Sequence, residues 1–336
     1  MIATLALLAL SAGFVPIAAT EPAISSAAGV TAEPDEPIAE QSIAPSLNDP
    51  ATEILELEEE RNRRLTIPVM IEGSGPFDFM IDTGSQATAV THEINASLGL
   101  APRGTATLVG MASTRTVDMV GVDSLKVGRH EVFDLIAPVL NRTHVGADGI
   151  IRLDSLQDFR VLIDFREESI AVEDMSAKND RRGFEIIVRA RQKLGQLLIT
   201  DAIVEGVRAT VIIDTGAQFS LANNALKRRI RAKRQQEVTT TDVNGVSILG
   251  DLSIVRSLTI EGLSLTNVPL TFADAPAFEA LGLADQPVLA LGMQHLKMFD
   301  RVAIDFSNQR ILFDVPRDVA RAMRRARRRG FRANFN

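Results

Sequence analysis

The chain contains one short pattern twice: an apolar run that ends in Asp-Thr-Gly. The first copy, at 77–86, reads Phe-Asp-Phe-Met-Ile-Asp-Thr-Gly-Ser-Gln, and the second, at 210–218, reads Thr-Val-Ile-Ile-Asp-Thr-Gly-Ala-Gln. An apolar run closed by a glycine turn predicts a buried strand. A carboxylate at the end of a buried strand is unfavourable unless it is paired or hydrogen-bonded. Asp82 and Asp214, which occupy the same local frame, are therefore expected to meet.

A second pair of matching segments indicates that a whole unit is duplicated. The offset from Asp82 to Asp214 is nearly the same as the offset between the Ile-Asp-Phe segments at 163–165 and 304–306. Each unit contains mostly short strands separated by turns, which predicts a small β-barrel or sandwich. We expect an all-β chain of two similar small barrel lobes with short helices, one running from a Thr91 cap to Leu98 and one from an Asn223 cap through Ile230.

Length and composition fit two cores and exclude several kinds of site. The chain has 336 residues, 46% of them hydrophobic, and no cysteine, so disulfides and thiolate metal sites are excluded. The four histidines are scattered and lack the spacing of a zinc protease helix. Neither a Gly-x-Ser-x-Gly elbow nor a phosphate-binding or dinucleotide-binding loop is present. We expect no metal and no cofactor.

The N-terminal segment, 1–60, differs in composition from the rest of the chain. Its first part, 1–20, is apolar and resembles a secretory signal peptide, although it lacks a basic n-region. We favour export with cleavage, to the periplasm or the medium, over an uncleaved membrane anchor, for which this stretch is at the short limit; a mis-assigned start codon is a third interpretation. The second part, 21–60, is acidic and rich in Pro, Ala and Ser, which predicts a disordered linker.

The rest of the chain divides into three segments. We assign the N-terminal lobe to 61–176 and the C-terminal lobe to 177–316. The tail, 317–336, contains eight arginines against one aspartate. A solvated terminal helix is favoured for it over binding to an anionic surface, and no nucleic-acid partner is expected.

The sequence resembles an aspartic protease of the pepsin and retropepsin kind, over roughly residues 64–316. The resemblance rests on two apolar-apolar-Asp-Thr-Gly-Ser/Ala motifs and on the later apolar-apolar-Gly segment, kept as Ala290-Leu291-Gly292. The lobes are short, as in retropepsins, but both lie in one chain, as in pepsins. The resemblance implies an endopeptidase in which the catalytic residues Asp82 and Asp214 activate a water. In such a pair the two carboxylates lie within hydrogen-bond reach of each other and hold one proton between them, because like charges at that distance repel too strongly for both groups to ionise.

The resemblance also implies roles for the residues that follow each aspartate. Two threonines are expected to hydrogen-bond across the lobe interface, and two glycines to let the backbones approach closely. These residues are Thr83, Thr215, Gly84 and Gly216.

The two copies differ in the next residue, which is Ser85 in the first and Ala217 in the second. A hydroxyl that donates to a carboxylate favours its ionised form. This difference gives the hypothesis that Asp82 is the ionised member and that Asp214 carries the proton more often, although the titration belongs to the pair.

Two features depart from the family pattern. Arg152 stands where the family's first lobe has Gly, and we expect it to reach solvent with its stem packed, the alternative being that it points toward the dyad. The chain has no Tyr, so the usual flap residue is missing. Flap candidates are two hairpin tips, one with Gly110 and Met111 and one with Asn244 and Gly245.

The expected partner is a protein or peptide substrate that binds in extended conformation between the lobes. Two lobes in one chain remove the need for a dimer, so a monomer is expected. Membrane contact is expected only if residues 1–20 are retained. The alternative function, favoured by Arg152 and by the missing tyrosine, is a peptide-binding or scaffold protein that keeps the fold without turnover.

Overall fold

The computed structural model describes residues 65–152, 159–174, 186–193, 196–261, 263–305 and 308–317, with shorter stretches at 6–8, 12–14, 52–56, 58–59, 184, 319–321 and 325. The elements of the first half are β1 (Ala6–Leu8), β2 (Ala12–Phe14), β3 (Thr52–Glu56), β4 (Glu58–Glu59), β5 (Leu65–Ile71), β6 (Ser74–Asp82), β7 (Ala89–Thr91), α1 (His92–Leu98), β8 (Ala101–Val109), β9 (Thr114–Val127), β10 (His130–Leu140), α2 (Arg142–Val145), β11 (Gly149–Arg152), β12 (Phe159–Asp164) and β13 (Ser169–Asp174). Those of the second half are β14 (Ile186–Arg189), β15 (Arg191–Lys193), β16 (Gln196–Val204), β17 (Val207–Ile213), β18 (Leu221–Ala222), α3 (Asn224–Ile230), β19 (Gln236–Asp242), β20 (Ser247–Ile260), β21 (Leu263–Phe272), α4 (Pro276–Ala280), β22 (Val288–Leu291), α5 (Met293–Leu296), β23 (Arg301–Asp305) and β24 (Arg310–Asp314).

Two nine-stranded sheets form the two lobes, and they have the same strand order. The N-lobe sheet runs β4-β5-β6-β11-β7-β10-β9-β8-β1, and the C-lobe sheet runs β15-β16-β17-β22-β18-β21-β20-β19-β2. Each strand of one sheet thus has a counterpart at the same place in the other. This correspondence confirms the predicted all-β fold of two similar lobes.

A third sheet joins the lobes. This junction sheet is antiparallel and has the order β14-β24-β23-β12-β13-β3. At its centre β12 pairs with β23, so that Val161 lies opposite Ile304 and Ile163 opposite Val302. All four side chains are buried in one core cluster that continues into both lobes. Burying an aliphatic side chain of this size contributes about 1.5–3 kcal/mol, so these paired residues stabilise the junction.

The two predicted helices are present at equivalent positions. Helix α1 follows Thr91 and ends at Gly99, whose left-handed backbone (φ 63°) lets its N–H donate to the Asn95 carbonyl. Helix α3 follows Asn223, whose side chain accepts a hydrogen bond from the N–H of Leu226. Thr91 occupies the N-cap position without making a side-chain cap bond.

The disordered linker predicted for 21–60 is corrected at its C-terminal end. Strand β3 pairs with β13 at the edge of the junction sheet, and β4 pairs with β5 at the edge of the N-lobe sheet. A sheet edge offers unpaired N–H and C=O groups, which stabilise even a short added strand. The rest of 21–60 lies outside the described residues.

The two ends of the chain are described only in part. The signal peptide predicted for 1–20 lies outside the described residues except for β1 and β2, so export stays a prediction. No helix in the part of the chain that the structure describes is long and apolar enough to cross a membrane. Most of the Arg-rich tail also lies outside the described residues; at its start Ala320 is buried and donates its N–H to the Pro316 carbonyl.

Candidate active site

The two aspartates lie together at the lobe interface. Asp82 ends β6, Asp214 directly follows the equivalent strand β17, and both residues are 0% exposed. A Cβ atom placed on Gly216 would lie 2.5 Å from the Asp82 carboxyl carbon. Because the Gly216 N–H also donates to Asp214 Oδ1 at 3.0 Å, Gly216 adjoins both carboxyl groups. No side chain larger than hydrogen fits there, which is why this position requires glycine.

Backbone N–H groups donate to both carboxylates. The Gly84 N–H donates to Asp82 Oδ1 at 2.7 Å. Asp214 Oδ1 accepts from the N–H groups of Gly216 and Ala217, at 3.0 and 2.9 Å. Such bonds favour a carboxylate over a carboxylic acid, while burial and a second carboxylate disfavour it. The site can therefore hold one negative charge, shared between two acids.

The role predicted for Ser85 is wrong. Its hydroxyl donates to the Ala87 carbonyl at 2.7 Å and accepts from the Ala87 N–H at 3.3 Å, so its proton is not directed at Asp82. Ser hydroxyls commonly close local turns in this way, and that local bond competes with the predicted one. The argument that made Asp82 the ionised member consequently has no basis in the structure.

The two threonines of the motifs connect the lobes reciprocally. Thr83 Oγ1 donates to the Ile213 carbonyl at 2.7 Å and accepts from the Thr215 N–H at 3.1 Å. Thr215 Oγ1 donates to the Ile81 carbonyl at 2.8 Å and accepts from the Thr83 N–H at 3.0 Å. All four bonds are buried and cross between the lobes, so they hold the two aspartate loops in fixed relative positions.

Both predicted flap hairpins are present, and their tips meet. We call residues 110–113, between β8 and β9, the N-tip, and residues 243–246, between β19 and β20, the C-tip. Met111 of the N-tip is 1% exposed and lines a small C-lobe pocket with Ala217, Phe219, Ser220, Leu221, Thr240, Thr271 and Ala290. Val243 of the C-tip belongs to a buried cluster whose other members all come from the N-terminal lobe. Each tip thus places an apolar side chain in the opposite lobe.

Asp242, which the sequence analysis missed, fastens the two tips together. Its Oδ2 accepts from the Ala112 N–H at 3.1 Å and from the Ser113 hydroxyl at 2.8 Å, and its Oδ1 accepts from the N–H groups of Asn244 and Val246. Asn244 Nδ2 also donates to Ser113 Oγ at 2.9 Å. The sequence signal was the repeat offset: Asp242, which directly precedes the C-tip, lies 132 residues after Gly110, as Asp214 lies 132 residues after Asp82.

The side chain of Arg152 lies against the loop that follows Asp82. It is partly buried, its guanidinium donates to the Gln86 carbonyl, and its backbone N–H donates to Thr88 Oγ1 at 3.2 Å. Burial lowers the pKa of Arg152 to about 10. The expectation that this side chain extends into solvent is therefore wrong, because its charged end is bonded to the loop.

A buried Ser–His pair supports the loop of the second lobe. Ser220 Oγ lies 2.7 Å from His295 Nδ1 and accepts from the Gly292 N–H at 2.9 Å. Burial lowers the pKa of His295 to about 4, so it is neutral near pH 7. Within the described ranges, no three His, Asp or Glu side chains are grouped so that they could hold a metal ion.

Comparison with known proteins supports the interpretation of the two lobes. A family model described as aspartyl protease matches residues 67–155 and 200–294, which together make up more than half of the chain and each contain one Asp-Thr-Gly motif. Among solved structures, a retropepsin-like aspartic protease from Rickettsia conorii matches at 21% identity and a TM-score of 0.28, over 39% of this chain and 90% of that one. No curated protein matches. With both repeats matched, this chain belongs to the aspartyl protease family.

Proposed function

We propose that the chain is an aspartic endopeptidase that hydrolyses peptide bonds with water activated by Asp82 and Asp214. The observation that carries the proposal is the meeting of the two buried carboxyl groups at Gly216. The reciprocal threonine bonds hold that arrangement. Fixed geometry of this kind favours catalysis because the reacting groups need no reorganisation.

The proposed reaction uses the single proton of the dyad. The ionised carboxylate takes a proton from water as the water oxygen attacks the scissile carbonyl carbon, and the protonated carboxyl donates to the carbonyl oxygen. The tetrahedral intermediate then loses the amine: the carboxyl that took the proton from water gives it to the amine nitrogen, and a hydroxyl of the intermediate returns a proton to the other carboxylate as the C–N bond breaks. No covalent enzyme intermediate forms, and the two aspartates finish in the protonation state in which they began.

An extended peptide is the substrate form that the hairpins favour. Strand β1 pairs in parallel with Thr107–Val109 of β8, and β2 pairs antiparallel with Thr240–Asp242 of β19. The edge of β8 thus accepts a parallel partner strand, and the edge of β19 accepts an antiparallel one. Both edges therefore accept backbone pairing with an extended segment, which supports a peptide in extended conformation as the substrate.

The tips indicate which side chains the cleft accepts. Met111 and Val243 each lie among apolar side chains of the opposite lobe. A bound peptide that displaces the tips would place its own side chains there, so apolar residues are favoured beside the scissile bond. We further propose that the protein acts after export, in the periplasm or the medium, as a monomer.

The test is cleavage of a mixed peptide library, from acid to neutral pH, by the wild type and by Asp82→Asn and Asp214→Asn. General acid–base groups contribute about 10²–10⁴ in rate, so each variant is expected to lose at least about 10²-fold in kcat. The control is Asp201→Asn, since Asp201 lies at the surface in an exposed ion pair with Arg208. Cleavage at the wild-type rate by either dyad variant would refute the mechanism.

The second candidate is a peptide-binding protein without turnover. Arg152, in place of the usual glycine beside the dyad strand, is the observation in its favour. This second candidate predicts that the wild type binds peptides from the library but cleaves none at any pH.

A further inference from the structure

The loop that follows Asp214 is held by backbone donors. The N–H groups of Met293 and Gln294, at the start of α5, donate to the carbonyls of Ala217 and Gln218 at 2.8 and 2.9 Å. This contact depends on Gly292, where a Cβ atom would lie 2.5 Å from the Phe219 carbonyl oxygen and 2.8 Å from that of Ala217. Glycine is required because the loop backbone packs directly on it.

Arg152 occupies the equivalent position in the first lobe. β11 pairs in parallel with β6, with Ile151 beside Ile81, just as β22 pairs with β17, with Leu291 beside Ile213. The next residues are Arg152 and Gly292. Both donate their N–H to a hydroxyl of the neighbouring loop, at Thr88 and at Ser220, which are themselves at equivalent positions of the two repeats.

The side chain of Arg152 makes the bond that a backbone group makes in the other lobe. Its guanidinium donates to the Gln86 carbonyl. Gln86 is the equivalent of Gln218, whose carbonyl accepts from the Gln294 N–H. One loop is thus held by the start of a helix, and the other by a charged side chain that extends from the strand.

We propose that Arg152 is a positioning residue of the first active-site loop, and that it replaces the support that α5 gives to the second. The catalytic part of this inference rests on the proposed peptidase function. The threonine bonds hold the beginning of the loop at Thr83, and Arg152 holds its end at Gln86 and Thr88. Asp82 and its loop are therefore fixed from both ends, and a charged donor makes a stronger bond to a carbonyl than a neutral one does.

Arg152 stands in place of the family's glycine, and such a departure would suggest an impaired site; in the proposed role it supports the site instead. If Arg152 impaired the site, Arg152→Gly would restore activity. If Arg152 holds the loop, the same substitution leaves the Gln86 carbonyl without this donor and lowers activity.

The first experiment is hydrogen–deuterium exchange on the full chain, which needs no activity. Losing a hydrogen bond to a charged group speeds the exchange of the amide hydrogens in the segment that it held by about tenfold or more. Arg152→Met is expected to raise the amide exchange rate of residues 83–88 and to leave that of the equivalent loop, 215–220, unchanged. Arg152→Lys keeps a charged donor and is expected to give a smaller rise. Arg208→Met, at a side chain 78% exposed, is the control and should change neither loop.

The second experiment measures kcat and KM separately. A displacement of about 1 Å at a catalytic group costs up to about 10²-fold in rate. Arg152→Met and Arg152→Gly are expected to lower kcat about ten- to hundredfold with KM within about threefold, and Arg152→Lys should recover part of the loss.

Several results overturn the inference. These are unchanged exchange at 83–88 in Arg152→Met, or cleavage by Arg152→Gly as fast as by the wild type. If Arg152→Met raises amide exchange in both loops, this variant has lost the fold and does not test the proposal. Arg152→Lys is then the test: a rise in exchange confined to 83–88 supports the proposal, and no rise there refutes it. A wild type that cleaves nothing, with the expected exchange pattern, refutes the proposed function and supports the role of Arg152 in holding the loop.

Discussion

Replacing Thr83 with valine tests the bonds that join the two lobes at the dyad. Valine has nearly the shape of threonine, so no cavity forms. The substitution removes the donor to the Ile213 carbonyl and the acceptor of the Thr215 N–H, both buried. A buried polar group left without a partner costs about 1–3 kcal/mol, so the free energy of unfolding should fall by about 2–6 kcal/mol. Domains are typically stable by about 5–15 kcal/mol, so the loss is easily measured.

The assay is equilibrium unfolding in urea, with two comparison variants. Thr83→Ser keeps the hydroxyl and loses only a methyl group, which costs about 1 kcal/mol. Thr91→Val is the matched control, because Thr91 is fully buried and its hydroxyl has no hydrogen-bond partner within the described residues. The control is expected to be neutral or slightly stabilising.

Thr215→Val extends the test to the other half of the network. Thr215 Oγ1 donates to the Ile81 carbonyl and accepts from the Thr83 N–H. Members of one hydrogen-bond network couple by about 0.5–3 kcal/mol, so the double variant should not equal the sum of the two single ones. The reasoning fails if Thr83→Val changes stability no more than Thr91→Val does.

Two further predictions concern the tips and the pH dependence of stability. Asp242→Asn replaces an oxygen that accepts from Ala112 and Ser113, so the Ala112 amide should exchange about tenfold faster or more; unchanged exchange there would show that the tips do not depend on this carboxylate. Burial lowers the pKa of His295 from 6.5 to about 4, so the unfolded chain binds a proton that the folded chain does not between these values. The free energy of unfolding should therefore fall by about 3 kcal/mol as pH drops from 6.5 to 4, and His295→Gln should lack this part of the fall. The same pH dependence in both proteins would contradict the assignment.

The sequence was sufficient where structure depends on local pattern and on the repeat. The two Asp-Thr-Gly strands, the Thr91 and Asn223 helix starts and the two hairpins all follow from short-range periodicity and turn residues. The offset between the two motifs then predicted which parts of the two lobes correspond. The meeting of Thr83 with Thr215 was expected from the family resemblance, since no local pattern in the residues indicates it.

The sequence was insufficient where a polar side chain has several partners within reach. Ser85 bonds to its near neighbour Ala87 rather than to Asp82. Arg152 turns to a loop carbonyl rather than to solvent. Asp242 bonds to a tip that lies far earlier in the chain, which no local pattern indicates. These choices depend on packing between the lobes, which exists only once both have folded.

The differences between the lobes show what two lobes in one chain permit. Gly110 and Asp242 are equivalent, and a Cβ atom on Gly110 would overlap the Asp242 carboxylate. An aspartate at both positions would bring two charges together, and a glycine at both would remove the bonds that the Asp242 carboxylate makes to Ala112 and Ser113. Arg152 and Gly292 form a second such pair, in which each residue supports its loop in its own way. Identical subunits cannot carry different residues at equivalent positions, so this arrangement requires the duplicated chain.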